Sequence, residues 1–509
     1  MSKYVLQIAL ILLSRELGVV GWLSNPTKLN TRIYRTPIIP VSRYHHTTLL
    51  ASSSAQEDTH KESENLNGNS QRGGTQQLQK VIHWRGEKEL GNSLQFRHLE
   101  FKSVLDISTS CNAASANSVD FSPALASDFS LANEMTDYER HAYENAMQYL
   151  DVDHDHEETY SNKDLIEAGE RCSLIRSIYE IVAEGDTFEE LAKNALESGN
   201  LHDMMANGTN AEASWRVSLR QYGRYAKIDK QKQYGKKMRS PMTSEREAMI
   251  QMKDFFTELV GPVDLKNANV SLYLFEGLVG RQKVLARVLT RGANTSIIAP
   301  KTRICVTNTP LCPLAAFTMN NVAKIKSGSR IFDPFAGSCT ILLAASMIEP
   351  TVRSVGCDIA HNGQVNRNNI LEDFISRNLT VPSAIIRGDS MLKDVRNQAQ
   401  AAVGDAPFDA IITDPPYGIR EKTGYCLDPP LVNLVKCIAK DRTGEDGKRL
   451  LKVGGRLVAF VPNQEGDDIC LDMPTDHDLS LAGLEFVQML EQPLNDSLSR
   501  WLVEYKCIQ

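Results

Sequence analysis

Thr413-Asp414-Pro415-Pro416-Tyr417-Gly418 places a carboxylate, a rigid turn and an aromatic ring side by side, directly after the apolar run Phe408 to Ile412. Each proline fixes its own φ and lacks an N–H, which leaves carbonyls in the turn with no local donor. Those carbonyls and the Asp414 carboxylate can accept the two hydrogens of an exocyclic amino group, while Tyr417 stacks on the ring that bears it. The chemistry this suits is alkylation of the amino group of a planar base. A plain strand-to-loop turn with an N-capping Asp also fits the hexapeptide taken alone. The segments that precede it narrow the choice.

An α/β series runs through the last third of the chain. Arg330-Ile331-Phe332 reads as a strand ending in Asp333-Pro334-Phe335-Ala336-Gly337-Ser338, followed by a helix over Thr340 to Met347. Val352 to Cys357 is a strand ending in Asp358, Asn362 to Asn378 is helical, and Ala384 to Arg387 is a strand ending near Asp389. After the strand that leads to Asp414 come a helix over Leu431 to Ala439 and a strand over Arg456 to Val461 entered from a Gly454-Gly455 turn. Phe486 to Leu490 and Trp501 to Tyr505 suit a closing antiparallel pair. Alternating strands and helices imply an open, mostly parallel sheet, whose ligands sit outside the carboxyl ends of the strands. Gly337 lets the backbone approach a ligand, the helix from Thr340 offers N–H groups to a carboxylate, Asp358 suits a ribose and Asp389 an adenine amino group. Adenine, ribose and a carboxylated tail describe S-adenosylmethionine. Neither a Gly-x-Gly-x-x-Gly fingerprint nor a Gly-Lys-Ser/Thr after Gly337 is present, which argues against dinucleotide and phosphate-loop sites. Strand-end aspartates are common singly; the ordered set of four is the specific signal.

The 509 residues are enough for two or three domains, and the net charge of −7 means that a nucleic-acid partner would need a local basic patch. Ten cysteines without a Cys-x-x-Cys pair suggest reduced thiols inside a cell, with no zinc site and no disulfide framework. Residues 1–92 read as an extension: acid-poor and Arg- and Ser-bearing at the start, then polar and rich in Gln, Asn, Ser and Gly. A targeting segment, a disordered tail or a mis-assigned start all fit it, and Tyr4 to Leu13 is too short an apolar run to span a bilayer, so no transmembrane segment is expected in the mature chain. Two strand-helix-strand groups, 93–196 and 197–290, suggest small α+β modules, with Leu94 to Phe96 as a short strand. His154 and His156 lie in an acidic stretch that suits a solvated loop better than a metal site. Trp215 to Tyr222 alternates as a half-buried strand and continues into a basic stretch holding Arg216, Arg220, Arg224, Lys227, Lys236 and Lys237, with Tyr222, Tyr225 and Tyr234 interleaved. An RNA ligand would need such a patch, and a solvated loop would look the same. Ser244 to Leu259 is a helix opened by a Ser244/Glu247 capping box, Val270 to Phe275 and Val284 to Leu289 are strands, and 291–329 is a linker and helix ahead of the domain at 330–509.

At this point the chain resembles the amino-methylating class I methyltransferases. Within them it is similar to the THUMP-domain tRNA methyltransferases that make N2-methylguanosine at tRNA position 10. The resemblance covers about Leu94 to Tyr505 and rests on Asp333-Pro334-Phe335-Ala336-Gly337, on Ile411 to Tyr417 with its continuation Gly418-Ile419-Arg420-Glu421, on Gly261-Pro262-Val263-Asp264-Leu265-Lys266, and on Ser499-Arg500-Trp501-Leu502. It implies a Rossmann-like class I methyltransferase sheet preceded by ferredoxin-like and THUMP modules. It also implies that S-adenosylmethionine is held by Asp333, Phe335, Gly337, Asp358, Asp389 and Thr309, and that Asp414, Pro415, Pro416 and Tyr417 act on the target guanine. A tRNA substrate, a small zinc-binding activator subunit and a cytoplasmic location, or a mitochondrial or plastid one through the N-terminal extension, follow from the same resemblance. The chain departs from the family at Cys339, where a second glycine is usual, and at Leu311-Cys312, where Met-Asp usually follows the Asn-Thr-x signal of Asn308-Thr309-Pro310. Methylation of DNA adenine or another RNA base, and RNA binding without catalysis, remain as other readings of the same residues.

Overall fold

The computed structural model describes residues 78–85, 94–108, 119–126, 145–152, 160–199, 205, 213–223, 244–359, 365–417, 428–444, 448–464, 466–495 and 497–509. The first 77 residues, both histidines of the acidic stretch, Arg224, Lys227, Lys236, Lys237 and the Gly418 to Glu421 segment lie outside them.

One seven-stranded sheet spans both N-terminal stretches. Its strands are β1 (Lys80–Trp84), β2 (Val119–Pro123), β3 (Met147–Val152), β4 (Ile175–Gly185), β5 (Trp215–Gln221), β6 (Val270–Leu278) and β7 (Arg281–Arg291), in the order β2-β3-β1-β4-β7-β6-β5. All neighbours are antiparallel except β5 and β6. The helices here are α1 (Leu94–Ser108), α2 (Asn162–Arg171), α3 (Phe188–Glu197), α4 (Glu245–Gln251) and α5 (Lys253–Glu258). Capping follows local chemistry: Thr187 caps α3, and Ser244 with Glu247 forms the expected box on α4. The single helix expected over Ser244 to Leu259 is broken at Met252, which sits at φ −94, ψ 18.

Three expectations are corrected. Lys80–Trp84, placed in the extension, is an inner strand bonded to β3 and β4, so a boundary at 92 cuts through the sheet. Leu94 to Phe96 is the first turn of α1, whose Phe96, Phe101, Val104 and Leu105 are fully buried. A boundary at 196 divides one sheet, because β4 from the first stretch pairs with β7 from the second.

The second sheet is the Rossmann-like one. Its strands are β8 (Arg330–Asp333), β9 (Arg353–Asp358), β10 (Ala384–Arg387), β11 (Phe408–Thr413), β12 (Leu451–Gln464), β13 (Leu484–Asn495) and β14 (Leu498–Cys507), ordered β10-β9-β8-β11-β12-β14-β13. The first five are parallel, and β14 runs antiparallel between β12 and β13. This is the class I methyltransferase order, with its switch point between β8 and β11. Helices α6 (Pro313–Val322), α7 (Thr340–Ile348), α8 (Arg367–Ile375), α9 (Lys393–Ala401), α10 (Pro430–Thr443) and α11 (Asp476–Ala482) accompany it. Buried clusters lie on both faces, one around α6, α7 and α8 and one around α9 and α10. Both faces of β11 are therefore apolar, and it reads as the near-continuous run Ala410-Ile411-Ile412. Gly454 and Gly455 correct a further expectation: they lie inside β12, where the β11 register shifts, rather than in a turn before it. A Cβ on Gly455 would meet the Asp409 carbonyl oxygen at 2.8 Å, so only glycine fits this bulge.

The two sheets meet through α1, α2 and α6. Glu100, on α1, is fully buried and accepts hydrogen bonds from the Ser173 and Leu174 N–H groups, the Ser173 hydroxyl and the Asn321 amide of α6. Arg171 donates to Asn321 Oδ1 and to the Ile325 carbonyl, and Lys324 pairs with Asp106. Burial holds the Glu100 pKa above the usual carboxylate range despite these donors.

Candidate active site

The carboxyl ends of β8, β9, β10 and β11 open on one cavity of about 1020 Å³. It brings together Asp333, Phe335, Gly337, Asp358, Asp389 and Thr309, all expected at the cofactor, with Asp414, Pro415, Pro416 and Tyr417, all expected at the target base. Arg216 and Arg220, the described residues of the basic stretch, do not line it. Leu494, Asn495 and Leu498 of the β13–β14 hairpin and Gln464 at the end of β12 also face it.

Local chemistry sets each acid. Asp333 ends β8 with 1% of its surface exposed, and its Oδ1 accepts from the Thr413 hydroxyl at 2.9 Å and the Phe335 N–H at 3.2 Å. Both donors are neutral. Burial, with smaller contributions from the nearby Asp358 and Asp414 charges, pushes its pKa up to about 8. Asp358 accepts the Gly337 N–H at 2.7 Å and so ties the β9 end to the loop after β8. Asp389 accepts the Met391 N–H at 2.9 Å.

The loop after β8 needs unusual backbone. Gly337 has φ +50, and a would-be Cβ would meet only the Thr307 methyl, at 3.9 Å, which suits close passage of a ligand. Cys339, in the α7 N-cap position, sits in the left-handed region at φ 61, ψ 33 and is fully buried against Gly356. Here the family's glycine has a physical reason, and the cysteine carries the strain in its place. Beneath the loop Arg303 donates to the Thr340 hydroxyl at 2.6 Å and to the Ser338 carbonyl, and its Nε lies 3.5 Å from buried Asp373. Asp373 also accepts the Ile304 and Cys305 N–H groups and the Arg377 guanidinium. The connector before α6 is thus latched to the loop, a role that spacing alone did not show.

Asp414 has a fifth of its side chain exposed, at 21%. The Tyr417 hydroxyl donates to its Oδ1 at 2.7 Å, and Arg500 of β14 lies 3.7 Å from its Oδ2. Burial raises the Asp414 pKa, while Arg500 and the Tyr417 hydroxyl pull it down. Tyr417 itself is driven up by burial and by the Asp414 charge, so its hydroxyl keeps its proton. Arg500 was quoted in the resembling stretch without a role; its place at the site comes from an antiparallel strand 86 residues further on, beyond any local pattern.

Among the described residues that line the cavity, four are acids and Arg500 is the single base. A polyphosphate would meet that field unfavourably, whereas a ligand carrying a sulfonium and an ammonium would complement it. The residues present therefore fit S-adenosylmethionine.

Of the expected RNA contacts, Arg216 and Arg220 are described. Arg216 is half-buried and donates to the Ser271 hydroxyl at 2.9 Å and to the Leu265 carbonyl at 3.3 Å, so it braces β5 against β6 and the Gly261 to Lys266 segment. Arg220 is exposed, with its guanidinium 5.6 Å from the Tyr273 ring centre. No helix among the described residues is long and apolar enough to cross a membrane.

Comparison with known proteins agrees with this geometry. Residues 300–447 match the UPF0020 family, described as an RMKL-like methyltransferase domain. The tRNA (guanine(10)-N(2))-methyltransferase TRMT11 of Dictyostelium discoideum is 25% identical over 342 residues, covering 59% of this chain and 63% of that protein. Its Mus musculus namesake is 34% identical over 137 residues, covering 24% and 28%. The tRNA (guanine(10)-N2)-dimethyltransferase of Methanothermobacter thermautotrophicus is 33% identical over 113 residues, covering 22% and 29%. The chain thus spans less than two thirds of the length of these relatives. TrmN from Thermus thermophilus is a structural neighbour at 18% identity and TM-score 0.32, covering 71% of this chain and 89% of that one. The sheet order, the four strand-end acids around one cavity and the match over residues 300–447 agree on a methyltransferase domain in this part of the chain.

Proposed function

We propose that this protein transfers a methyl group from S-adenosylmethionine to the exocyclic N2 of a guanosine in tRNA, at position 10. The observation that carries this reading is the single cavity in which the Asp333, Asp358 and Asp389 strand ends adjoin Asp414-Pro415-Pro416-Tyr417. The relatives named for guanine-10 chemistry support the choice of base and polymer.

When bound, S-adenosylmethionine supplies an electrophilic methyl group on its sulfonium. Asp333, Phe335 and Gly337 would hold its methionine end, Asp358 its ribose and Asp389 its adenine, with Thr309 also lining the cavity. The guanine N2 lone pair is delocalised into the ring and is a poor nucleophile. Asp414 and a carbonyl of Pro415 or Pro416 accept the amino hydrogens, which favours pyramidal nitrogen and directs its lone pair. Such a site works by positioning and preorganised charge, and needs no dedicated base, since the proton can leave after transfer. Tyr417 presents its ring while its hydroxyl is committed to Asp414.

The exposed Arg220, and the basic stretch after it, would carry the tRNA backbone. The small zinc-binding activator subunit implied by the resemblance belongs to the same reading, and co-purification from the native host tests it. For the activity itself, single-turnover methyl transfer to unmodified tRNA with mass-spectrometric mapping should place one methyl group on guanine N2. Asp414→Asn should lower that rate by about 10²–10³ with cofactor and tRNA affinities retained. Methylation of DNA or of another base, or an Asp414→Asn enzyme with normal turnover, would overturn the reading.

A further inference from the structure

Among the described residues Arg500 is the one positive charge set against the target-base residues, and it is held from several sides. Its Nε donates to Gln492 Oε1 at 2.7 Å, from the cross-strand partner on β13. Its guanidinium carbon lies 3.9 Å from the ring centre of Phe460 on β12, close enough for a cation–π contact. Its Nη1 donates to the Tyr417 hydroxyl at 3.2 Å and stands 3.7 Å from Asp414 Oδ2. The residue is 6% exposed, so these contacts are made with little competing water.

An arginine can only donate. The Tyr417 hydroxyl therefore accepts from Arg500 and must turn its own proton to Asp414, so the chain Arg500 → Tyr417 → Asp414 runs in one direction. We propose that Arg500 is a positioning residue of the methyl-transfer site: through Tyr417, and by its own charge, it fixes the orientation and the ionised state of the Asp414 carboxylate that receives the target amino group. The inference rests on the proposed function for its reaction, but its geometry is independent of which base is methylated.

The charged and titratable groups that face Asp414 are Tyr417 on its own loop, Asp333 at the end of β8 and Arg500 on β14. Cys312, ahead of α6, faces Arg500 in turn. Burial works against an ionised Asp414, and Arg500 and the Tyr417 hydroxyl oppose it. Removing the guanidinium should therefore move the acid limb of the rate profile toward higher pH, which a merely structural loss would not do.

The experiment compares wild type with Arg500→Gln, Arg500→Lys and Gln492→Leu in the full chain. Single-turnover methyl transfer is followed across pH, beside calorimetric cofactor binding and thermal unfolding. Arg500→Gln should lose about 10²-fold in rate at neutral pH. Its acid limb should shift upward, while cofactor affinity stays within about twofold, because the proposed cofactor residues are other side chains. Arg500→Lys keeps the charge but not the planar fork, so it should restore the limb and only part of the rate. Gln492→Leu leaves the charge in place and frees one anchor; it should fold and lose a smaller share of the rate, which covers the case in which Arg500→Gln is unstable. Carbon-13 NMR titration of the Asp414 carboxyl, assigned with Asp414→Asn, reads the clamp without substrate and should show a higher pKa in Arg500→Gln. A normal rate, or a lowered rate with an unmoved pH limb and an unmoved carboxyl titration, would overturn the inference. Failure of the wild type to methylate tRNA would count against the proposed function alone, and the titration would still decide the role of Arg500.

Discussion

The proposed role of Asp333 at the cofactor predicts that S-adenosylmethionine binding releases a proton. In the cofactor-free protein its carboxyl is held at about 8 by burial, aided by Asp358 and Asp414, with only the neutral Thr413 hydroxyl and Phe335 N–H to favour the charged form. At pH 7 roughly one molecule in ten then carries the carboxylate, and ionising the rest costs about 1.4 kcal/mol, which is close to a factor of ten in affinity. A cationic ligand at Asp333 restores the ordinary carboxylate form and expels that proton. The cofactor affinity should accordingly tighten by nearly tenfold from pH 6 to 7, by about fivefold from pH 7 to 8, and flatten above. Stability runs the opposite way. The folded pKa lies above the unfolded one, so the stabilisation from protonated Asp333 is complete below the unfolded value near 4 and is lost as pH rises through 8. The free protein should unfold at lower temperature at pH 8.5 than at pH 6.5, and the cofactor should narrow the gap. Calorimetry of S-adenosylmethionine binding in two buffers of different ionisation enthalpy counts the protons directly: nearly one released at pH 7, and none in Asp333→Asn. A dissociation constant flat between pH 6.5 and 8.5, with no buffer-dependent heat, would refute the reasoning.

Four further outcomes are expected. Glu100→Ala strips four hydrogen-bond donors of their acceptor where α1, β4 and α6 meet; at about 1–3 kcal/mol for each group left unsatisfied, several kcal/mol of stability should go, read as a large fall in unfolding temperature and earlier proteolysis between the two sheets. Cys339→Gly relieves left-handed strain of about 1–2 kcal/mol, while Cys339→Ala keeps the strain and loses the same buried sulfur, so the glycine variant should be at least as stable as the alanine one; chemical denaturation that finds glycine clearly worse would sink the strain argument. Arg220→Ala should weaken tRNA binding and reduce the slope of log affinity against log salt by about one, with unfolding temperature unchanged. Arg216→Ala should instead lower the unfolding temperature, because that guanidinium braces Ser271 and the Leu265 carbonyl.

What the sequence revealed and what it hid divide along physical lines. The acids at the strand ends were legible because a parallel strand buried on both faces must be an apolar run, and the first acid after such a run marks its carboxyl end. Asp333, Asp358, Asp389 and Asp414 could therefore be placed at one rim before any contact was known, and they share one cavity. Strand β1 was hidden for the opposite reason: Lys80-Val81-Ile82-His83-Trp84 is five residues long and follows a Gln-rich stretch, and its lysine is buried only because Glu180 pairs with it from β4. Only the first turn of α1, Leu94 to Phe96, reads as a strand from sequence, because two core-facing positions beside it are charged. Arg97 is buried on the carbonyls of Asn145 and Arg85, and Glu100 on the start of β4, so the apolar stripe that announces a helix is interrupted where the helix docks. Arg303 and Arg500 share this character. Each is a buried cation whose partners at the site lie 35 to 86 positions away, Ser338, Thr340 and Asp373 for the first and Asp414 and Tyr417 for the second, with Gln492 as a nearer anchor of Arg500. A buried charge is tolerated only where such partners meet it, so these arginines are evidence of long-range fit rather than of local pattern. Both bear on the two halves of the cavity, Arg303 beneath the cofactor loop and Arg500 behind the Asp414 carboxylate. The strand ends thus supply the groups, and two distant arginines hold them in register.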